Sequence, residues 1–352
     1  MSTNDLWLAG VTLVLCLVTG LMHGFTTATA ATFLIGAVAL AALATVIGRT
    51  VDQLTDRLGA GATGVLQSAL GNLPELFVCI FALRDGLITV VQAAIVGSIL
   101  SNLLLVLGAA FLVGGLKFRT QRFDASRARG LIALLMLAVA ALLVPSLASY
   151  VGSAAAAHER ALSEVTSVVL LVVFAFSIPA SVRRTQEDHE AAEAADLTRQ
   201  WPLPLAVGVL AATALLAALV SEWFVDALTP SLEALHISQA FAGLVIVAIA
   251  GNAVEHVVGI QLAARNRADA AVSVVVNSPL QIALVLAPML VLISPIVSSH
   301  PFTLVFPAPF VTTVAAAVVA VAFVIVDGES DALEGAALLG LYLVIAASFW
   351  WG

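Results

Sequence analysis

Two glutamates stand inside apolar runs with matching neighbours. The segment GNLPELFVCI begins at Gly71 and GNAVEHVVGI begins at Gly251, 180 residues later, so Gly-Asn-x-x-Glu recurs with Glu75 and Glu255 as its acids. A carboxylate removed from water must be protonated, paired or bound to a cation, and neither run holds a Lys or Arg that could pair with it. Neutral oxygen is close at hand. Asn72 and Asn252 each precede their glutamate by three residues, a spacing that puts amide and acid on one helix face. Further along each copy, Ser98, Ser101 and Asn102 form one polar face, and Asn277, Ser278 and Gln281 form its counterpart. Pro74 and Pro279 predict broken helices whose freed carbonyls point at an ion. Two carboxylates with several neutral oxygens suit a hard cation such as Ca²⁺, which takes roughly six to eight oxygen ligands; a zinc site would need His and Cys at spacings absent here. Without the ion, two desolvated acids are better protonated than charged, so Ca²⁺ and protons are expected to compete, at two or more protons per ion. His256, next to Glu255, either joins the proton pathway or bridges helices as a neutral ring.

The elements that must position these groups are membrane helices. The chain is 61% hydrophobic and 10% charged, with a mean hydropathy of +1.10, far more apolar than a soluble domain can solvate. A bilayer core about 30 Å thick takes roughly 20 apolar residues per helix. Gly, Pro and charge clusters then predict eleven spans near 5–24, 29–48, 62–83, 88–114, 129–149, 164–182, 203–222, 238–264, 269–295, 304–325 and 333–351. Trp7, Trp201, Trp223, Trp350 and Trp351 fall at span edges, where an indole anchors. Cys16 and Cys79 lie in apolar runs with no metal-ligand spacing, and the N-terminus lacks the basic start of a secretory signal. A net charge of −8 argues against nucleic acid as a partner.

Basic residues test the span order. Arg49, Arg57, Lys117, Arg119, Arg122, Arg127, Arg129, Arg183, Arg184, Arg199, Arg265 and Arg267 fall on one side; only Arg84 and Arg160 fall on the other. Because Lys and Arg collect in the cytoplasm, the N-terminus is expected inside and the C-terminus outside.

The two copies occupy spans three and four, then eight and nine. An offset of five spans, an odd number, inverts the second copy relative to the first, which is the parity of inverted-repeat transporters and of alternating access. The fold expected is therefore all-α and polytopic, about eleven transmembrane helices: an extra N-terminal helix over 1–28, a five-helix repeat over 29–182, an acidic cytoplasmic linker over 183–200 and an inverted five-helix repeat over 201–352. Glu75 lies nine residues before Arg84 and Glu255 ten before Arg265. At 1.5 Å per residue both acids sit roughly 13 to 15 Å deep, near the midplane.

At these residues the chain resembles the cation/proton exchanger (CAX) family of the calcium/cation antiporter superfamily. GNLPELFVCIFALRDGLITVVQAAIVGSILSNLLLVLG is similar to that family's first signature region and GNAVEHVVGIQLAARNRADAAVSVVVNSPLQIALVLAP to its second. The resemblance implies Glu75 and Glu255 as Ca²⁺ ligands and proton acceptors. It implies that Asn72, Asn252, Ser98, Asn102, Ser278 and Gln281 line the site, with His256 in the proton pathway. It implies a secondary antiporter rather than an enzyme, without a cofactor. Ca²⁺ would be the transported substrate, and protons and the bilayer its partners, with a homo-oligomer a further possible association. Its place would be a prokaryotic plasma membrane. One departure is local: the family's second region usually reads Gly-Ser-Ser before its Gln, where this chain has Asn277-Ser278-Pro279. Pro74-Glu75-Leu76 also resembles the first repeat of sodium/calcium exchangers, which makes a Na⁺-coupled Ca²⁺ exchanger the alternative.

Overall fold

A computed structural model describes residues 3–25, 30–190 and 201–351, with the backbone alone for 52, 55–69 and 178–190. The chain is nearly all helical. In order come α1 (Thr3–Phe25), α2 (Ala30–Leu70), α3 (Leu73–Arg84), α4 (Ile88–Phe118), α5 (Ala125–Val151), α6 (Glu159–Glu190), α7 (Leu203–Leu235), α8 (Gln239–Gly251), α9 (Ala253–Ala264), α10 (Ala268–Val297), α11 (Ala308–Val324) and α12 (Ala332–Ser348). Among the described residues seven helices are long and apolar enough to cross a bilayer. The pair α8–α9, bent by 66°, makes an eighth, and α11 and α12 are shorter apolar helices.

This differs from eleven separate spans in several places. The expected loop between the second and third spans is absent, because α2 runs unbroken from Ala30 to Leu70. Charges at Arg49 and Arg57 read as a loop, but a helix of 41 residues extends about 60 Å and can carry them beyond the hydrocarbon. The real break comes at Gly71–Asn72. Helix α7 likewise runs on to Leu235, and within it lies Trp223. It packs over Gly20 of α1, with His23 stacked on its ring. Helix α6 continues to Glu190 through the start of the acidic segment expected at 183–200; residues 191–200 of that segment lie outside the described residues.

The chain forms two compact units, neither of which is a sequence half. One comprises residues 1–81 and 171–235, the other 82–170 and 236–352. In the first, α1, α2 and α7 pack together. Phe33 stacks on Phe224 with ring centroids 4.8 Å apart, and Arg49 pairs with Asp5 at 3.2 Å.

In the second unit α4 is the central post, with every residue from Val90 to Leu104 buried. Glycines let its neighbours approach at backbone distance. A Cβ on Gly97 would lie 2.3 Å from the Leu244 carbonyl oxygen, and one on Gly243 would lie 2.5 Å from that of Val90, so α4 and α8 cross through paired glycines. On another face, Gly108 and Gly115 meet α12 around Gly335 and Ala332. The span expected from 304 begins as a helix only at Ala308. The preceding non-helical backbone is buried at Phe302, Leu304 and Phe306, and side chains satisfy it. The Ser146 hydroxyl donates to the Leu304 carbonyl (2.9 Å) and accepts from the Phe306 amide (2.8 Å). Ser163 accepts from the Leu304 amide (3.0 Å), Ser294 accepts from the Phe302 amide (2.8 Å) and Gln92 donates to the Val305 carbonyl (2.7 Å). Irregular backbone survives at membrane depth only when protein supplies such partners.

One end of this unit is clamped by polar contacts. A two-residue antiparallel ribbon pairs β1 (Gln121–Arg122) with β2 (Glu329–Ser330). Gln121 donates to the Ala263 carbonyl (3.0 Å) and to Asn266 (3.0 Å), and Lys117 donates to the Ala264 carbonyl (2.8 Å), so the C-terminal end of α9 is capped from the last turn of α4 and the residues just after it. Arg127 pairs with Asp269 at 3.2 Å.

Two substitutions test this packing. Gly97→Ala forces a methyl into the α8 backbone and is expected to cost at least about 1–3 kcal/mol, read as an earlier thermal transition in detergent. Ser146→Ala leaves a buried carbonyl and a buried amide without their partner and is expected to cost about 1–3 kcal/mol for each, whereas the exposed Thr312→Ala is expected to leave the transition unchanged.

Candidate cation site

The local fold around each glutamate is a broken helix. Gly71 and Asn72 form the turn between α2 and α3, and Asn252 is the single residue between α8 and α9. The second segments are equal in length, 12 residues each, and start 180 residues apart at Leu73 and Ala253. The carbonyls of Asn72 and Asn252 close the first turns, accepting from the Leu76 amide (2.9 Å) and the His256 amide (3.1 Å). Each glutamate is thus the third residue of a half-helix, in its first turn. That position is the N-terminal end of the half-helix rather than its middle. It places each acid at the positive end of a helix dipole, which favours a negative carboxylate without using a basic side chain. Pro74 is the second residue of α3, where no intrahelical donor is needed.

Pro279 does not break its helix as expected. Helix α10 runs through it to Gln281, then enters a π-turn at Ile282–Leu286. Helix α4 has a π-turn at Ser101–Val106 with no proline near it, so the irregularity does not depend on Pro279.

Within the second unit, the structure gathers four of the expected residues around one amide. Asn252 donates through Nδ2 to Ser98 Oγ (3.0 Å) and to the Ala248 carbonyl (2.9 Å). Its Oδ1 accepts from Ser278 Oγ (3.2 Å) and from Asn102 Nδ2 (3.4 Å). The Asn102 amide also donates to the Ser98 carbonyl at 2.9 Å. Asn252 therefore spends its side chain tying the α8–α9 break to α4 and α10, and its Oδ1 is already engaged twice. The oxygen left over is Asn102 Oδ1, buried in the π-turn of α4 with no hydrogen-bond partner among the described residues. His256 Nε2 is likewise buried and unpartnered among them.

The other expected residues are placed separately. Glu255 is half-buried on α9 and Gln281 half-buried at the end of the regular part of α10. Glu75 and Asn72 are buried and belong to the first unit, with the free thiol of Cys79 one turn beyond Glu75. Asn72 and Asn252 lie in the breaks rather than on the half-helices. No group of three His, Cys, Asp or Glu side chains among the described residues could hold a metal ion.

Sequence reasoning missed the close approach of α4 and α8 at Gly97 and at Gly243. The signal available was weak: Gly97 is the position that Asn277 occupies in the second copy, and only a backbone contact explains why one copy tolerates no side chain there.

Comparison with known proteins identifies the family of the chain. The family described as "Sodium/calcium exchanger protein" matches residues 28–182 and 205–351. The Ca(2+)/H(+) antiporter of Aphanothece halophytica is 33% identical over 333 residues, covering 90% of this chain and 89% of its own. The Ca(2+)/H(+) antiporter ChaA of Bacillus subtilis is 34% identical over 330 residues, covering 90% and 91%. The solved structure of native YfkE superposes with a TM-score of 0.81 at 33% identity, covering 98% of this chain and 99% of that one. The H+/Ca2+ exchanger CAX, at 15% identity, shares the fold with a TM-score of 0.75, covering 99% and 92%. The chain is an integral, multi-pass membrane protein of the sodium/calcium exchanger protein family, and within it belongs to the cation/proton exchangers (CAX) of the calcium/cation antiporter superfamily.

Proposed function

We propose that this protein is a secondary antiporter that exports Ca²⁺ in exchange for protons by alternating access, with Ca²⁺ and H⁺ competing for Glu75 and Glu255. The observation that carries this reading is the duplicated acid: each glutamate opens a 12-residue half-helix, 180 residues apart, behind a Gly-Asn break. Relatives named Ca(2+)/H(+) antiporter, a third identical over nine-tenths of the chain, support protons as the coupling ion. The family match in two segments supports two repeats, which parity makes inverted. The first of these is 29–182 and the second 201–352, with 1–28 as an extra helix.

In this mechanism Asn102 supplies a neutral ligand oxygen, and Ser98, Ser278, Asn252 and Gln281 complete the polar lining. Asn72 holds the break behind Glu75. His256 carries a proton beside Glu255. Bound Ca²⁺ cancels two carboxylate charges and two protons cancel the same two, so the loaded and protonated forms cross the membrane with equal site charge. The basic side of the chain is cytoplasmic, the N-terminus lies there and the C-terminus outside, in a prokaryotic plasma membrane. The second reading, Na⁺ coupling, draws on the family's description and on a shared fold with the sodium-calcium exchanger NCX_Mj, at a TM-score of 0.55 and 19% identity.

Everted vesicles separate the two. An imposed pH gradient is expected to drive Ca²⁺ uptake that an uncoupler abolishes; uptake driven by a Na⁺ gradient and indifferent to the uncoupler would sink the proton reading. Glu75→Gln and Glu255→Gln are each expected to abolish uptake, and full activity in either ends the two-carboxylate mechanism. Two competing protons also set a slope: where both acids are protonated, apparent Ca²⁺ affinity falls about a hundredfold for each unit the pH drops, measured by isothermal binding. A slope near tenfold would mean that only one acid exchanges its proton.

A further inference from the structure

The two copies of the signature differ most in how they treat one helix face. In α4 the face carrying Thr89, Ala93, Gly97 and Ser101 is closed: the last three are buried, and α8 lies against them so tightly that a Cβ on Gly243 would stand 2.6 Å from that of Ala93. In α10 the corresponding positions are Asp269, Ser273, Asn277 and Gln281, spaced four apart. From Ala268 to Gln281 the residues that are not buried are Asp269, Ala270, Ser273, Val274, Asn277 and Gln281, which make a single stripe. Four of the six are polar. The stripe stops at Gln281, because the next seven residues, through the π-turn, are all buried.

Its course leads to an acid. The stripe opens beside Arg265 and Arg267, where Asp269 is held by Arg127 and by the Asp124 amide (3.0 Å). It then follows α10 for roughly 18 Å to Gln281. Helices α9 and α10 form a hairpin whose register is bracketed by two contacts, Asn252 with Ser278 and Gly259 with Val275. Between those brackets Asn277 stands level with Glu255, itself half-buried. The side chains of Ser273, Asn277 and Gln281 make no hydrogen bond to another described residue. Lipid offers them none either, and polar side chains at this depth face water-lined cavities or protein.

From this placement we infer that the Ser273–Asn277–Gln281 stripe of α10 lines a one-sided aqueous route from the Arg267 end of the protein to Glu255, along which a divalent cation sheds and regains water. The route is absent from the first copy because Gly97 gives its place to the α8 backbone. Asn277, where glycine was expected, is a staging ligand: its amide oxygen replaces a water just before the ion meets the carboxylate. The inference rests on the exchange reading for what travels the route, but not for the water itself.

Thiol labelling tests it. With Cys16 and Cys79 replaced by alanine, cysteine is placed singly at Ser273, Asn277 and Gln281, and at two controls: Val276, buried at the same depth, and Phe323, 76% exposed on the apolar surface of α11. A membrane-impermeant, cationic methanethiosulfonate is then applied to right-side-out and everted vesicles. Labelling of Ser273→Cys, Asn277→Cys and Gln281→Cys in everted vesicles alone is expected, with Val276→Cys and Phe323→Cys untouched. Asn277→Cys and Gln281→Cys remaining as inert as the controls, or reacting from the opposite side only, would overturn the route. Three independent positions guard against one variant that fails to fold. Labelling reads water rather than flux, so intact Ca²⁺/H⁺ exchange with inert thiols refutes this inference alone. Reactive thiols in a chain that moves Ca²⁺ with Na⁺ refute the proton reading and leave the route standing.

Discussion

The constraint on which the rest of this structure depends is that hydrocarbon offers no hydrogen bonds. Every polar atom placed at depth must be answered by protein, water or an ion. The chain meets that demand where its helices are interrupted. At the α8–α9 break a single amide, Asn252, donates twice and accepts twice, joining α4, α8 and α10. At the non-helical stretch before α11, three serines and a glutamine perform the same task. A break secured in this way is rigid, and a rigid break can present a half-helix N-terminus. That end favours negative charge, so the acid that looked most costly in the apolar run stands where the backbone already compensates part of its charge.

The same constraint explains the distribution of glycine. Wherever the second unit packs most tightly, glycine allows backbones to meet: Gly97 with α8, Gly243 with α4, and Gly108, Gly115 and Gly335 between α4 and α12. Close packing removes room for water as well as for side chains. The central post α4 is therefore dry from Val90 to Leu104, apart from the polar cluster it carries. Polarity on α10 is arranged differently, with part of it turned inward to Asn252 through Ser278 and part left half-exposed through Asn277 and Gln281. One duplicated helix has thus become a structural post and the other a lining.

Much of this was legible in the sequence because the informative residues are rare in their context. A Gly-Asn-x-x-Glu repeat among Ala, Val and Leu stands out at once, and its Gly-Asn pair falls where the helices break. Ser98, Asn102, Asn252 and Ser278 were expected near one another and are hydrogen-bonded together. Features without a residue signature were not legible. The π-turns at Ser101–Val106 and Ile282–Leu286 arise in sequences that also fit an α-helix, and Pro279 pointed to a break that does not occur. The continuity of α2 was hidden because charges at 49–57 suit a loop and a protruding helix equally well. The start of α11 was misplaced because Phe302, Leu304 and Phe306 are as apolar as any helix; their backbone partners lie more than 100 residues away in sequence or on another helix.

The departure at Asn277-Ser278-Pro279 shows how a repeat can diverge while its chemistry is kept. The middle residue is unchanged because its hydroxyl holds the side-chain amide oxygen of Asn252, a contact the break cannot lose. Its neighbours answer to different surroundings. Gly97 is held to glycine by a carbonyl at 2.3 Å from any Cβ, whereas position 277 is half-exposed and free to carry an amide. Pro279 is buried but follows eleven residues of regular helix, and the helix continues past it. The identity of a signature residue in this fold is thus decided by what packs against its face. Two copies can share a serine for one reason and differ on either side of it for another.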